Sequence, residues 1–322
     1  MINAVVVGLG RMGRNLVNSV QGKSEHIRFT HAVVRHPDTA KDFATKHGLE
    51  LLTDFSHALK SDKVQAVVLT TPHQLHAEQV IAAAGAGKPV FCEKPLALTR
   101  VDAERAIDAC KRAGVPLGVG YNKRFWPSMC ELKRVVANGE LGEILHVETH
   151  FSNESTGKFY GGWLAEIPGG GLIATGTHVL DGLISVVGPV RRVQGQRMIH
   201  DPSPAPVDTI AVLMEFANRV SGVLCCVRTT AQYWRVHVFG KNGSAEALED
   251  VDLVIRKNET PPRRLTFERV DALRCELEEF AKAIATGKPY PISFEDMIDA
   301  VAATEAIIKS LETGNSTAVS MR

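Results

Sequence analysis

The chain has 322 residues, of which 44% are hydrophobic and 23% are charged, and its formal net charge is +1. This balance is typical of a globular protein of about two domains, and it provides no field that would attract nucleic acid or a charged membrane surface. No apolar run in the sequence is long enough to span a bilayer, so we expect no membrane-spanning segment.

The cysteines and the first residues indicate the compartment. Six cysteines are spread through the chain without a CxxC pair, and we interpret them as reduced thiols. The chain enters an apolar strand almost at once, with the sequence INAVVVG at 2–8, which leaves no room for the parts of a leader peptide. These features predict a cytoplasmic protein.

The first 120 residues alternate short β-branched segments with helical patterns, which predicts a parallel sheet with helices on both faces. Strands are expected at 4–7, 27–34, 66–70, 90–92 and 117–119, and helices at 11–20, 37–47, 75–84 and 99–113.

After about residue 122 the pattern changes to one dominated by strands. A helix is expected at 128–138, a long strand at 144–152, and strands at 190–199, 209–216, 220–228 and 234–240, before helices at 271–286 and 294–311. The predicted fold is α/β: a doubly wound Rossmann domain over 1–121, then an α+β domain over 122–322 with a large, mostly antiparallel open sheet. One face of such a sheet needs cover, and we expect a partner subunit to supply it.

The sequence GLGRMG at 8–13 fits the pattern G-x-G-x-x-G directly after the first strand and at the start of a helix. Gly8 allows the tight turn, Gly10 lets the backbone approach a pyrophosphate, and Gly13 allows close helix–strand packing. Arg11 and Met12 begin the helix, whose N-terminal N–H groups face the anion. The pattern predicts a dinucleotide site; the alternative is a glycine-rich turn without a ligand.

The end of the second strand indicates which dinucleotide binds. An NAD site usually has an acidic residue there, but this chain has Arg35 and His36, and Asp38 comes only later. Arg35 can pair with a 2′-phosphate through its planar guanidinium, and His36 can assist. We therefore predict a preference for NADP(H), with NAD(H) possible. The alternative is that Arg35 is a solvated surface residue.

Two further segments follow the strands predicted at 66–70 and 90–92, where ligands bind in open α/β sheets. The first contains Thr71, Pro72 and His76, which we predict to contact the cofactor. His73 and His76 could also bind a metal, but no third ligand is evident, so no metal is expected.

The second segment is Glu93-Lys94-Pro95. Glu93 and Lys94 are also predicted to lie at the cofactor. A lysine held this way can bond a substrate hydroxyl and relay its proton, so Lys94 is a candidate catalytic and substrate-binding residue. The alternative is a structural ion pair with Glu93.

This combination of motifs resembles the Gfo/Idh/MocA family, and the resemblance covers the whole chain. It is carried by GLGRMG at 8–13, TTPHQLH at 70–76, EKP at 93–95, GYNKRF at 120–125, GGGLIATGTHVLD at 169–181 and the C-terminal segment from PYPIS at 289–293. The resemblance implies an enzyme that moves a hydride between a nicotinamide and a hydroxyl-bearing carbon of a sugar, cyclitol or similar polyol. It also implies a homodimer or homotetramer formed through the C-terminal sheet.

The resemblance also assigns residues. The family's lysine corresponds to Lys94, and its active-site histidine, the acid or base, to His178. Its arginine-containing segment corresponds to Asn122-Lys123-Arg124, so Asn122 is expected at the substrate and Arg124 at the cofactor. Trp163 falls near a position that often contacts a ligand.

One position departs from the family pattern. Many members have an aspartate four residues before the histidine, where this chain has Ala174. Asp181 lies within i,i+3 reach of His178 and could orient its ring or bind a second hydroxyl, and Thr175 offers a hydroxyl. The missing carboxylate puts a simple inositol-type substrate in doubt.

The leading hypothesis is therefore an NADP(H)-dependent oxidoreductase acting on a sugar or polyol. One alternative is a glycosidase of the same fold that retains its NAD. The other is a nucleotide-sensing regulatory protein without catalysis.

Overall fold

The computed structural model describes residues 1–153, 175–201, 207–228 and 230–320. Trp163, Ala174 and the glycines at 169–171 lie outside these residues. None of the helices in the described ranges is both long and apolar enough to cross a membrane.

The chain divides into two compact units. The first comprises Met1–Asn122 together with Asp271–Met297, and the second comprises Lys123–Val270 together with Ile298–Arg322. The sequence placed all of 122–322 in one domain, whereas the structure packs the helix that follows Asp271 against the first unit.

The sheet of the first unit positions every motif found before residue 100. Its strands are β1 Ile2–Val7, β2 Ile27–Val33, β3 Glu50–Leu52, β4 Ala66–Leu69, β5 Val90–Glu93 and β6 Leu117–Gly120. They pair in parallel in the order β3-β2-β1-β4-β5-β6, which is a doubly wound arrangement with its reversal beside β1. The carboxyl ends of β1, β4 and β5 are therefore neighbours, and the loops that follow them meet at one edge.

The sheet of the second unit is larger. Its strands are β7 Ile144–Asn153, β8 Val190–Asp201, β9 Val207–Phe216, β10 Ser221–Arg228, β11 Tyr233–Gly240, β12 Gly243–Leu248, β13 Asp252–Arg256, β14 Arg263–Thr266 and β15 Thr317–Ala318. Their order is β14-β13-β12-β11-β7-β10-β9-β8-β15, and every pairing is antiparallel except β7 with β10. The predicted α/β fold with a parallel and a mostly antiparallel sheet is confirmed.

The described α-helices flank these sheets. They are α1 Arg11–Val20, α2 Lys41–His47, α3 Phe55–Lys60, α4 His76–Gly85, α5 Arg100–Ala113, α6 Pro127–Ala137, α7 Thr177–Val187, α8 Ala272–Thr286 and α9 Phe294–Thr313. The sequence missed β3, α3, β14 and β15, which are too short for a hydrophobic period to be distinct.

Helix α8 belongs to the first unit because its apolar face fits that sheet. The Phe280 ring lies 5.7 Å from the ring of Phe91 on β5. A Cβ atom on Gly118 of β6 would lie 3.3 Å from the Phe280 ring, so the glycine leaves room for this ring to pack against the strand. Asp271 caps the helix by accepting a hydrogen bond from the Arg274 N–H.

Candidate active site

The glycine turn after β1 has the close contacts that its sequence predicts. Gly8 has a φ of +98°, which a side chain would strain. A Cβ on Gly13 would lie only 2.1 Å from the Gly8 carbonyl oxygen, so helix α1 could not pack here with any larger residue. The Thr70 hydroxyl, at the end of β4, donates to the same carbonyl over 2.6 Å. Thr70 thus fixes the turn, a role that the sequence did not reveal.

Open space beside Gly10 suits a dinucleotide. Gly10 is the N-cap of α1, no side chain caps the helix, and its first turn contains no acidic residue. A Cβ built on Gly10 meets nothing within 4 Å. The first N–H groups of the helix and its positive dipole end therefore face a space in which a pyrophosphate fits. Arg11 and Met12 form the start of this helix, as predicted.

The segment after β2 presents basic side chains to solvent. Arg35 and His36 are exposed. The nearby Arg14 lies on α1, where its guanidinium donates to the carbonyl oxygens of Leu9 and Thr39 at 3.0 and 3.1 Å. Arg14 therefore ties the segment after β2 to the glycine turn, and Arg35 keeps its guanidinium toward solvent.

His76 connects the loops that follow β4 and β5. Its side chain is fully buried, with Nδ1 2.8 Å from the Pro95 carbonyl oxygen and Nε2 2.9 Å from that of Thr71. Both partners only accept hydrogen bonds, so a neutral ring donates to one of them and a protonated ring to both. Burial lowers the pKa of His76, which favours the neutral ring. The sequence predicts a cofactor contact for His76, and the structure shows that its ring joins the loops that follow β4 and β5.

His73 lies beside this connection. Its ring centroid is 5.4 Å from that of His76, and burial lowers the pKa of His73 well below its usual range. Among the described residues, no three histidine, cysteine or acidic side chains form a group that could hold a metal ion.

Glu93 and Lys94 form the end of β5 and the loop that follows. The Lys94 backbone N–H donates to Glu93 Oε2 over 3.3 Å. Gly120 gives the carboxyl group room, since a Cβ there would lie 3.1 Å from Glu93 Cδ. Burial raises the pKa of Glu93 to about 7 and lowers the pKa of Lys94 to about 8. The charge of each residue opposes the shift of the other, because a carboxylate and an ammonium stabilise one another. The positive charge of Arg11 lowers both pKa values. The Lys94 residue as a whole keeps some exposure.

In the second unit, His178 lies in the first turn of α7. It is half-buried, and its ring centroid is 6.5 Å from that of Phe151 on β7. Helix α7 packs against α6, and a Cβ built on Gly182 would be in ordinary van der Waals contact with Met129, at 3.4 Å. Thr175 and Thr177, just before His178, are buried. His178 is thus set at the rim of an otherwise buried helix.

Asp181 and Arg124 form a buried ion pair within the same unit. Arg124 Nε donates to Asp181 Oδ2 over 2.8 Å, and Nη2 donates to Oδ1 over 2.7 Å. The two side chains are 8% and 2% exposed. The sequence predicts a cofactor contact for Arg124 and a substrate contact for Asp181, and the structure brings the two side chains to each other.

Lys123 lies in a cluster of three aromatic rings that the sequence did not predict. Its Nζ is 3.5 Å from the centroid of Trp126, 4.8 Å from that of Phe151 and 4.7 Å from that of Trp234. Such contacts between an ammonium and ring faces are attractive. Because Phe151 also contacts His178, this cluster and the histidine share one wall of the second unit. No local sequence pattern predicts this cluster, because its rings come from segments that are far apart in the chain.

Comparisons with known proteins agree with this arrangement. Residues 2–121 match the model of an oxidoreductase family with an NAD-binding Rossmann fold. Residues 129–246 match the GFO/IDH/MocA C-terminal domain. A myo-inositol 2-dehydrogenase of Thermotoga maritima is 30% identical, and the alignment covers 95% of each chain. The chain belongs to the Gfo/Idh/MocA family.

Solved structures of similar chains support the same assignment. A candidate NADPH-dependent oxidoreductase of Desulfitobacterium hafniense is 25% identical, with a TM-score of 0.88 and coverage of 99% and 97% of the two chains. A levoglucosan dehydrogenase in complex with NADH and L-sorbose shares the fold, with a TM-score of 0.89 at 23% identity and coverage of 100% and 99%. As a member of this family, the protein is an oxidoreductase that uses a nicotinamide cofactor. The predicted family and enzyme class are confirmed.

Proposed function

We propose that this family member is an NADP(H)-dependent oxidoreductase acting on a hydroxyl or carbonyl carbon of a sugar, cyclitol or related polyol. The observation that carries the proposal is the placement of Lys94. This lysine follows β5, the strand next to β4, and Thr70 at the end of β4 fixes the glycine turn. A lysine at this edge of the sheet is positioned for a substrate that reacts with a bound nicotinamide.

The residues support a simple division of roles. The nicotinamide, when bound, accepts a hydride from the alcohol carbon or returns it to the carbonyl. The protonated Lys94 amine donates a hydrogen bond to the substrate oxygen and stabilises its developing negative charge. A neutral His178 accepts the proton of the hydroxyl group. The alcohol carbon becomes a carbonyl carbon, and the histidine becomes an imidazolium.

Preference for NADP(H) is supported by charge at the end of β2. The exposed Arg35 and His36 provide hydrogen-bond donors for a 2′-phosphate, and no carboxylate ends the strand. The Desulfitobacterium hafniense relative, described as NADPH-dependent, is in line with this assignment. NAD(H) is the alternative, with a lower affinity. Thr71, Pro72 and Arg124 complete the proposed cofactor contacts.

The substrate is proposed to be a polyol bound without the carboxylate that many relatives have before the histidine. Inositol dehydrogenases are among the similar proteins. In this chain, Ala174 replaces that carboxylate, and Arg124 engages both oxygens of Asp181. We therefore expect fewer carboxylate contacts to the substrate hydroxyls. A greater share of the substrate contacts should come from Asn122, Trp163 and Thr175. This distinguishes the proposed substrate from a plain inositol.

A cofactor-reduction screen tests the proposal. Purified protein is incubated with NADP⁺ or NAD⁺ and a panel that includes myo-inositol, scyllo-inositol, levoglucosan and common sugars, and absorbance of the reduced nicotinamide is followed. We expect turnover that Lys94→Ala and His178→Ala each reduce by about 10²–10⁴-fold in kcat. The Lys63→Ala change, at an exposed lysine before β4, is the control. Either variant retaining wild-type kcat contradicts the assigned role.

The same screen separates the two alternatives. A glycosidase of this fold would retain its nicotinamide through purification and release a sugar without net reduction of added cofactor. A regulatory protein would bind the nucleotide and turn over nothing on the panel.

The large sheet supports a homodimer or homotetramer. One face of β8 and β9 carries exposed apolar side chains, with Met198 54% exposed on β8 and Leu213 60% exposed in the middle of β9. Alternate residues on the same strand, Val212 and Met214, are buried on the other face. An exposed apolar surface of this kind is typical of an interface between subunits. Sedimentation equilibrium of Leu213→Glu against wild type tests it, with a shift to monomer expected.

A cytoplasmic location is also proposed. Cys92 and Cys110 are buried as free thiols. Reduced thiols are the rule in the cytoplasm. A thiol count on protein isolated without reductant tests this, and a count below six would contradict it.

A further inference from the structure

Glu276 is a buried carboxyl group in the middle of the first unit. It lies on the inner face of α8 with no exposed surface, and neither of its oxygens has a hydrogen-bond partner in the structure. The Glu93 Oε1 atom is buried without a partner as well. Three carboxyl oxygens in one unit thus need hydrogen bonds, and buried polar groups rarely go without them.

The packing of α8 brings these carboxyl groups into one region. Phe280, one helical turn after Glu276, lies on the same helix face and packs on Gly118 of β6. Gly120 follows Gly118 on the same face of β6 and gives room to the Glu93 carboxyl group. The charge of Glu93 acts directly on Glu276, as the largest effect after burial.

Two such carboxyl groups cannot both be ionised without donors, because an unpaired buried charge costs several kcal/mol. Lys94 and Arg11 stabilise negative charge on Glu93. Nothing comparable acts on Glu276, where burial and the charges of Glu93, Cys275 and Asp271 all raise the pKa well above its usual range. The proton of the pair therefore belongs to Glu276, and a protonated carboxyl group is a hydrogen-bond donor.

We propose that Glu276 is a neutral carboxylic acid that donates its proton in a hydrogen bond to Glu93 Oε1, directly or through one water molecule, and so fixes the anion beside Lys94. Glu276 is then a positioning residue for the proposed reaction, and this role rests on the function proposed for Lys94. It acts by keeping Glu93 ionised and oriented, so that the Lys94 amine stays protonated and in place.

Infrared difference spectroscopy tests the protonation of Glu276 without any assay. Wild-type protein at neutral pH should show the C=O band of a buried protonated carboxyl group, and Glu276→Gln should remove that band. Glu279→Gln, on the same helix but paired with Lys282, should retain it. A band unchanged in Glu276→Gln overturns the proposal. Because glutamine has nearly the same shape and is neutral, this variant should fold.

Thermal unfolding gives a second readout. The pKa of Glu276 is raised in the folded protein, so the unfolded chain releases the proton at lower pH and the folded protein loses stability as pH rises above 4.5. Glu276→Gln abolishes this loss, and its Tm should therefore rise relative to wild type between pH 4.5 and neutral pH. A constant Tm difference over that interval contradicts a protonated Glu276.

Titration of Lys94 tests the positioning role. The Lys94 resonance of lysine-labelled protein, assigned with Lys94→Met, is followed by NMR across pH. Glu276→Leu removes the hydrogen-bond donor to Glu93, so a smaller fraction of Glu93 is ionised and the Lys94 ammonium loses part of its stabilisation. The ratio of neutral to protonated Lys94 should then rise about tenfold at a given pH. Glu276→Gln keeps a donor and should restore the wild-type titration.

The outcomes separate this inference from the proposed function. Lys94 titrations that are identical in wild type and Glu276→Leu overturn the positioning role, even where the enzyme proves to be a dehydrogenase. A changed titration in a protein that turns over no polyol contradicts the proposed function and leaves the carboxyl pair intact.

Discussion

Arg124 and Asp181 form a doubly hydrogen-bonded, buried ion pair that joins the segment after β6 to helix α7. The two hydrogen bonds measure 2.8 and 2.7 Å. Asp181 lies one helical turn after His178, so the pair fixes the helix that carries the proposed base. The aspartate thus supports the histidine through the backbone of α7.

Removing one partner of this pair should destabilise the protein. Asp181→Asn leaves the Arg124 guanidinium buried opposite a neutral amide, and such a loss costs about 3–5 kcal/mol of unfolding free energy. Urea denaturation followed by circular dichroism measures it. Glu143→Gln, which removes the partner of Lys241 in an exposed pair, is the matched control with a much smaller expected loss. Equal losses in the two variants would show that the buried pair contributes no more than a surface pair.

The glycine turn allows stability and cofactor binding to be separated. Gly13→Ala places a Cβ 2.1 Å from the Gly8 carbonyl oxygen, so the backbone must shift at a cost of about 1–3 kcal/mol. Gly10→Ala meets no protein atom, so it should leave Tm unchanged and obstruct the space for the pyrophosphate. We expect both variants to lose NADPH binding in fluorescence titrations and only Gly13→Ala to lose Tm. Tight NADPH binding by Gly10→Ala would argue against the proposed pyrophosphate position.

Arg35 should determine the preference between the two dinucleotides. Arg35→Ala removes a charged donor from the 2′-phosphate, which is worth about 1.5–3 kcal/mol, or roughly tenfold to hundredfold in the Kd of NADPH. The Kd of NADH should change little. Arg28→Ala, on the preceding strand β2 and hydrogen-bonded to Asn3, serves as the control. Wild-type protein that binds NADH as tightly as NADPH would contradict the predicted preference.

The ionisation of Lys94 should appear in the pH dependence of alcohol oxidation. Burial lowers its pKa to about 8, and the proposed mechanism requires the protonated amine. The kcat/KM for oxidation should therefore fall about tenfold per pH unit above that value. Lys94→Arg keeps its charge throughout this range, so whatever activity it retains should lack the alkaline fall. Oxidation that instead rises through pH 8 would assign the base role to a neutral Lys94.

Sequence reasoning located most of the elements because their signals are local. The helix predicted at 11–20 has the same bounds in the structure, and the ends of the strands that the sequence predicts lie within about two residues of the observed ends. Hydrophobic period and glycine position determine these elements without reference to distant segments. The motifs after β1, β4 and β5 lie side by side because these three strands are parallel neighbours in the sheet.

Contacts between distant segments were beyond the sequence. Residues 57 positions apart form the Arg124–Asp181 pair, and the rings around Lys123 come from the N-cap residue of α6, from β7 and from β11. Helix α8, far along the chain, packs on the first sheet and brings Glu276 toward Glu93. The residue types at the proposed site were thus determined by the sequence. Their partners, burial and protonation were decided by the tertiary structure, because each depends on which segments exclude water from which charge.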